Sequence, residues 1–364
     1  MPTNNNSTIK CLIYLISCVI NGITPSSSLL LELDLHELYE EASRHQTIIL
    51  VAEALKNARI NDSYIEEKSQ KNILALLLLE KESKKIQDAL EQREIWFMPL
   101  KGIILRNYYP QKHMRQMSDN DILYDASRSK EVQLVMESFG YKLLTSHAIH
   151  QDDYRKPPFF HFEMHKMLFY SNRKFHDYYQ HIEQKLVGTT YRKRFTNEDF
   201  YIYMIAHEYM HYYRNGTGLR SLLDTYVFLK QNNENLKWKY IKSEIQKLGI
   251  MDFEKKNREL SLKVFSSGNI DDLDKEELDM LSCFIASGAY GTEEQGIINR
   301  LKRDGKVKYL LHKAFLSMDE IEKYYSFFYK HKIFLPILPI YRIIKKWNKI
   351  KHEMSLIIKT EISK

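Results

Sequence analysis

The sequence predicts an α+β protein in which a small α/β core is embraced by N-terminal and C-terminal helical regions. Three observations carry that prediction. Gly (12) and Pro (8) are scarce in 364 residues, which disfavours a turn-rich all-β chain and favours long helices. Apolar residues recur every three or four positions at both ends of the chain, the period of an amphipathic helix. Between residues 94 and 170 the pattern breaks into short apolar or alternating runs separated by helical stretches, as strands interleaved with helices do. The expected division is residues 1–92, 93–195 and 196–364.

The elements follow in order. In "IKCLIYLISCVINGITP", residues 9–25, the apolar part is too short to span a membrane and lacks a small-residue cleavage site, so a buried N-terminal helix is expected rather than a signal peptide. "LDLHELYEEASRHQTIILVAEALKNA" and "QKNILALLLLEKESKKIQDALEQRE" keep the helical period, and Glu80 and Lys84 in the second can pair one turn apart. "EIWFMPL", 94–100, is an apolar strand run ended by Lys101-Gly102, and the helical "IILRNYY" follows. "NDILYD", 120–125, reads as a second strand, "SRSKEVQLVMESFG" as a helix closed by Gly140, and "YKLLT" as a third strand. In "PPFFHFEMHKMLFY", 157–170, Phe160, Phe162 and Met164 alternate with His161, Glu163 and His165, which gives a fourth strand with one apolar and one polar face. The chain then returns to helix, with Thr196 and Asp199 spaced as a capping box.

The net charge of +7 suits a polyanionic partner, although no strong nucleic-acid motif accompanies it. Three cysteines without metal-ligand spacing (Cys11, Cys18, Cys283) read as reduced thiols of a cytoplasmic protein. The basic C-terminal segment sets lysines beside Ile343, Ile344, Trp347 and Ile350. That pattern fits either weak contact with an anionic membrane or a protein, or an apolar stripe packed on its own domain.

Two stretches carry chemistry. "MSDNDILYD" places Asp119 and Asp121 two apart at the entry to a strand, so both carboxylates share a face. Side by side they repel unless a divalent cation lies between them, and Glu163 on a neighbouring strand would complete a two-metal site. "AHEYMHYY" contains His207-Glu208-Tyr209-Met210-His211, the H-E-x-x-H pattern of zinc peptidases. It lacks a third ligand in a recognisable downstream helix. Phe200, Met204, His207 and His211 follow one helix face, which points the histidines inward.

The stretch "MPLKGIILRNYYPQKHMRQMSDNDILYD" resembles the signature of a bacterial family of uncharacterised nucleotidyltransferases within the superfamily of DNA polymerase β. The matching elements are Leu100, Lys101-Gly102, Leu105, Tyr109-Pro110, Arg115, and Asp119 with Asp121. "HFEMHKML" is similar to the family's second acidic strand through Glu163 and His165. His207 and His211 followed by "GLRSLLD", with Arg220 and Asp224, resemble its helical module, and "LPILPIYRI" its C-terminal feature. One departure from the superfamily is Ile103, where a serine usually follows the glycine and touches phosphate.

The resemblance implies a small mixed sheet carrying Mg²⁺ or Mn²⁺ on Asp119, Asp121 and Glu163, with a nucleoside triphosphate as donor and pyrophosphate as product. Lys101, Gly102 at the start of a helix, Arg115 and Arg220 would then face the nucleotide phosphates. Simpler roles stay open for each: Lys101 as a strand-end cap, Arg115 as a brace for the Asp119 loop, and Arg220 as a partner of Asp224. His165 is expected beside the metal or the substrate. The acceptor is not legible, and a non-catalytic nucleotide-binding relative is the alternative reading.

Overall fold

The computed structural model describes residues 3–345 apart from 28–29, 31–32, 146–149, 317, 319–320 and 322–323. Helices α1 (Thr3–Asn21), α2 (Leu35–Arg44), α3 (Ile48–Asn57) and α4 (Ser63–Gln92) precede strand β1 (Phe97–Pro99) and the short helix α5 (Lys101–Leu105). Then come β2 (Asn120–Tyr124), α6 (Ser129–Ser138), β3 (Lys142–Thr145), β4 (Gln151–Lys156) and β5 (Phe160–His165). Helices α7 (Arg173–Tyr179), α8 (Asn197–Arg214), α9 (Leu219–Asn232), α10 (Trp238–Leu248), α11 (Met251–Ser267) and α12 (Lys275–Ser287) follow. The last described elements are α13 (Glu293–Ala314), α14 (Ser326–Lys330) and α15 (Leu338–Lys345). The α+β class expected from the sequence is the class observed.

The sheet has the order β1-β2-β5-β4-β3 and is mixed: β2 and β5 run parallel, and the other neighbours are antiparallel. Its apolar face carries Ile122, Tyr124, Tyr154, Phe162 and Met164, packed on Ile86 and Leu90 of α4 and on Val132 and Met136 of α6. Burying these side chains drives the strands together, because removing apolar area from water is the main favourable term in folding.

Strand β4 is absent from the sequence reading. In "QDDYRK" only Tyr154 is a large apolar residue, and its inward neighbour is Asp152, which Lys166 neutralises at 2.8 Å. The inward face therefore carries little hydrophobic alternation. Glu80 contacts Arg106 at 3.2 Å, a partner from outside its helix, where the sequence suggested Lys84.

The N-terminal helix is buried: Leu12, Ile13, Leu15 and Ile16 of α1 have no exposed surface, and the helix packs on α3 and α11. The expected cap of α8 is present, with the Asp199 N–H donating to the Thr196 hydroxyl at 3.1 Å and that hydroxyl donating to the Asp199 carboxylate at 2.9 Å. Among the described residues, no helix is long and apolar enough to cross a membrane. The basic stretch around Trp347 and Ile350 lies outside the described residues.

By internal packing the chain divides into two compact units, residues 1–209 with 219–281, and residues 210–218 with 282–364. The first holds the sheet. Within the second, the Asn299 side chain donates to the Tyr212 carbonyl at 2.7 Å, and Gly296 lies so close to the Arg214 carbonyl that an added Cβ would overlap it.

Inside the first unit one ion pair anchors the chain leading into β2. Arg115 donates to Asp224 of α9 twice, from Nε to Oδ1 at 2.8 Å and from Nη2 to Oδ2 at 2.7 Å, and both side chains are buried. Tyr109 adds a third donor to Asp224 at 2.8 Å. Removing the carboxylate strands a buried guanidinium, so Asp224→Ala is expected to lower the unfolding free energy by roughly 3–5 kcal/mol, measured by urea unfolding.

Glu208 of α8 is also buried and accepts hydrogen bonds from Thr225 at 3.2 Å and Asn257 at 3.1 Å. Burial, aided by Asp224, pushes its carboxyl up to about 7. A raised pKa favours the proton-bound native state, so this contribution to stability is complete below the ordinary carboxyl range and is lost as pH rises through about 7. Thermal melts between pH 5 and pH 8 should therefore show Glu208→Gln gaining on the wild type as pH rises, by on the order of 2 kcal/mol across the window.

Candidate functional site

The polar face of the sheet assembles the site. Because β2 and β5 pair in parallel with Asp121 opposite Glu163, and Ile122 opposite Met164, the alternation that buries Phe162 and Met164 turns Asp121, His161, Glu163 and His165 to the other side. Asp119 precedes β2 and comes to the same place. One donor atom from each of Asp119, His161 and Glu163 lies within 4.8 Å of the others, and so do atoms of Asp121, Glu163 and His165. The structure thus brings together the three carboxylates named from sequence.

The neighbours tune these groups. The Leu100 N–H donates to the Asp121 carbonyl at 2.9 Å, which fixes Lys101 beside that strand. Lys101 has φ of 33°, a left-handed conformation uncommon for a residue with a side chain, and its Nζ lies 3.5 Å from Asp121 Oδ2. His165 Nε2 is 3.0 Å from Asp121 Oδ1. Burial pushes the Asp121 carboxyl up, but Lys101 and His165 outweigh it and hold the group well below the usual carboxylate range. Burial and the charge on Asp121 raise Asp119. Burial, with Asp121 and Asp119, pushes Glu163 up to about 8. Three carboxyls so close resist joint ionisation, and a divalent cation between them would relieve that repulsion.

The remaining residues named from sequence fall into two groups. Lys101 touches the cluster directly. Arg115 and Asp224 form the buried pair described above, so Arg115 braces the segment before Asp119 and commits its Nε–Nη2 edge to that carboxylate. Gly102 follows from that pair: an added Cβ would lie 2.7 Å from Arg115 Nη1 and 3.4 Å from Met117 Sδ. The guanidinium fills the space a side chain would need. Helix α5 is only five residues long, so its macrodipole is small, and the positive charge near the carboxylates is mainly that of Lys101. Arg220 donates to the Gln116 carbonyl at 2.8 Å and to Gln46, which ties the same segment to α9, and its charge lies close enough to lower Asp119.

Asp153 was missed along with β4. It pairs across the ladder with Glu163 and sits 3.9 Å from His161. The only signal was the alternation of polar residues in "QDDYRK", which carries no apolar stripe to mark it.

The H-E-x-x-H pattern does not assemble as a metal site. Its glutamate turns into the packing between α8, α9 and α11 through Thr225 and Asn257, while His207 and His211 are half-buried. Among the described residues, the groups able to hold a metal include neither histidine.

A family described as uncharacterised nucleotidyltransferase matches residues 32–265, from just before α2 to the last turn of α11. That span includes the sheet, the carboxylate cluster and the Arg115–Asp224 pair. No curated protein and no solved structure matches. The match covers well over half of the chain, and the chain belongs to this family of uncharacterised nucleotidyltransferases.

Proposed function

We propose that the protein transfers a nucleoside monophosphate from a nucleoside triphosphate to a hydroxyl or phosphate acceptor, releasing pyrophosphate. The observation that supports this most is the register of β2 on β5, which sets Asp121 directly across from Glu163 with Asp119 alongside, in a chain of nucleotidyltransferase family. The donor set suits a hard divalent cation such as Mg²⁺ or Mn²⁺, and Asp119, Asp121 and Glu163 are the residues that would hold it. When bound, such ions activate the attacking oxygen and neutralise charge on the phosphates.

The chain's own groups supply the rest. Asp121, kept ionised by Lys101 and His165, offers a permanent carboxylate. Glu163, pushed up to about 8 by burial and by Asp121 and Asp119, is the carboxyl whose ionisation a bound cation would favour most. Lys101 is only partly exposed, so its ammonium sits in a site of reduced dielectric where it stabilises charge developing on the phosphates. Arg115, Asp224, Tyr109 and Arg220 hold the segment that presents Asp119, and their role is to limit its motion rather than to touch substrate.

Incubating the full chain with a panel of nucleoside triphosphates and Mn²⁺ or Mg²⁺ should release pyrophosphate. The double variant Asp119→Ala with Asp121→Ala should fall to background while retaining its circular dichroism spectrum. Nucleotide binding without release in the wild type would favour a regulatory nucleotide-binding protein instead, and no binding would overturn both readings. Lys101→Ala is expected to lower turnover by about 10²–10³-fold, the cost of losing one preorganised electrostatic contact to the transition state, as read from initial rates.

A further inference from the structure

We propose that His161 is a direct nitrogen ligand of the metal centre, together with Asp119 and Glu163, and that this nitrogen biases the site toward Mn²⁺ over Mg²⁺. The inference rests on the functional reading above only in placing a divalent cation among the carboxylates.

The argument begins with strand alternation. In "HFEMH", His161, Glu163 and His165 occupy every second position of β5, so an imidazole flanks the central carboxylate on each side. The donor atoms form two overlapping trios that share Glu163: Asp119, His161 and Glu163 in one, and Asp121, Glu163 and His165 in the other.

The two histidines differ in what engages them. His165 Nε2 is within hydrogen-bonding distance of Asp121, at 3.0 Å, and its side chain is 10% exposed. Its ring orients Asp121, which makes it a positioning residue. His161 is 3.9 Å from Asp153, beyond hydrogen-bonding reach, and its side chain is 21% exposed. One of its ring nitrogens lies within 4.8 Å of donor atoms of Asp119 and Glu163, in reach of a cation that those carboxylates hold.

Coordination chemistry gives the consequence. Mg²⁺ takes oxygen ligands almost exclusively and holds its waters tightly, whereas Mn²⁺, although also at home among carboxylates, stands at the start of the first-row transition series and gains more than Mg²⁺ from one nitrogen in a largely oxygen set. A trio of two carboxylates and one imidazole gives Mn²⁺ a ligand that Mg²⁺ gains little from.

Pulsed electron paramagnetic resonance on the full chain loaded with Mn²⁺ alone tests this without any turnover. The expected spectrum shows coupling to a nitrogen that changes character when the protein is grown with ¹⁵N-histidine. The coupling should vanish in His161→Ala and persist in His165→Ala, and Mn²⁺ affinity in His161→Ala should fall at least about tenfold by calorimetry. In competition titrations the preference for Mn²⁺ over Mg²⁺ should shrink in His161→Asn. Mn²⁺ bound by the wild type without nitrogen coupling overturns the assignment and leaves the carboxylate site intact. Coupling that survives in His161→Ala overturns it as well. Failure of the wild type to bind Mn²⁺ at all overturns this proposal and the metal-dependent reading together.

Discussion

The buried pair of Arg115 and Asp224 is the constraint around which the site is arranged. Two charges withdrawn from water are costly, and their attraction offsets that cost only when the geometry is good and the spare donors and acceptors are met. Here the geometry is bidentate and Tyr109 fills a further acceptor position on Asp224. Such a pair contributes less to net stability than to choosing one arrangement of the chain. It ties the segment entering β2 to a helix 109 residues away in sequence. It also dictates glycine at position 102, because the guanidinium lies where a Cβ would be. Lys101, Gly102 and Asp119 are therefore placed by a contact that none of them makes.

The two faces of the sheet divide the labour. One is a dry packing of Ile122, Tyr124, Tyr154, Phe162 and Met164 against α4 and α6. The other gathers three carboxylates, two imidazoles and one ammonium into a small volume. The apolar face supplies the free energy that holds the ionisable face together against its own repulsion. The carboxylates in turn respond unequally: Asp121 is stabilised as an anion while Glu163 is driven toward the protonated form. Nearly identical side chains acquire different chemistry from their neighbours alone.

Much of this was legible in the amino-acid order. The place of Asp121 at the head of an apolar run, and the strict alternation around Glu163, state which of these carboxylates share a face of the sheet, while Asp119, one residue before β2, reaches the same place from outside the ladder. Gly102 and Arg115 were visible as features of a resemblance, but their relation was not. Nothing local in either residue reveals that one occupies the other's side-chain space, because that contact depends on Asp224 far along the chain. Strand β4 escaped notice for a related reason: its inward aspartate is neutralised by Lys166, so burial there is electrostatic rather than hydrophobic. The H-E-x-x-H pattern shows the converse failure. Its letters fit a metal site, yet the glutamate is consumed by the packing of three helices.

The parallel pairing of β2 with β5 has one more consequence. Side chains alternate with a period of two, so sliding β5 by one residue would carry Glu163 into the tyrosine-lined interior and push Phe162 and Met164 out into water. Correct registry and a complete cluster are thus the same event, because a strand that has buried its aromatic residues has already turned its carboxylate outward. A molecule of this chain that has reached its compact form by the native pairing cannot have its acidic triad scrambled. Quality control of the fold is, for this sheet, quality control of the site.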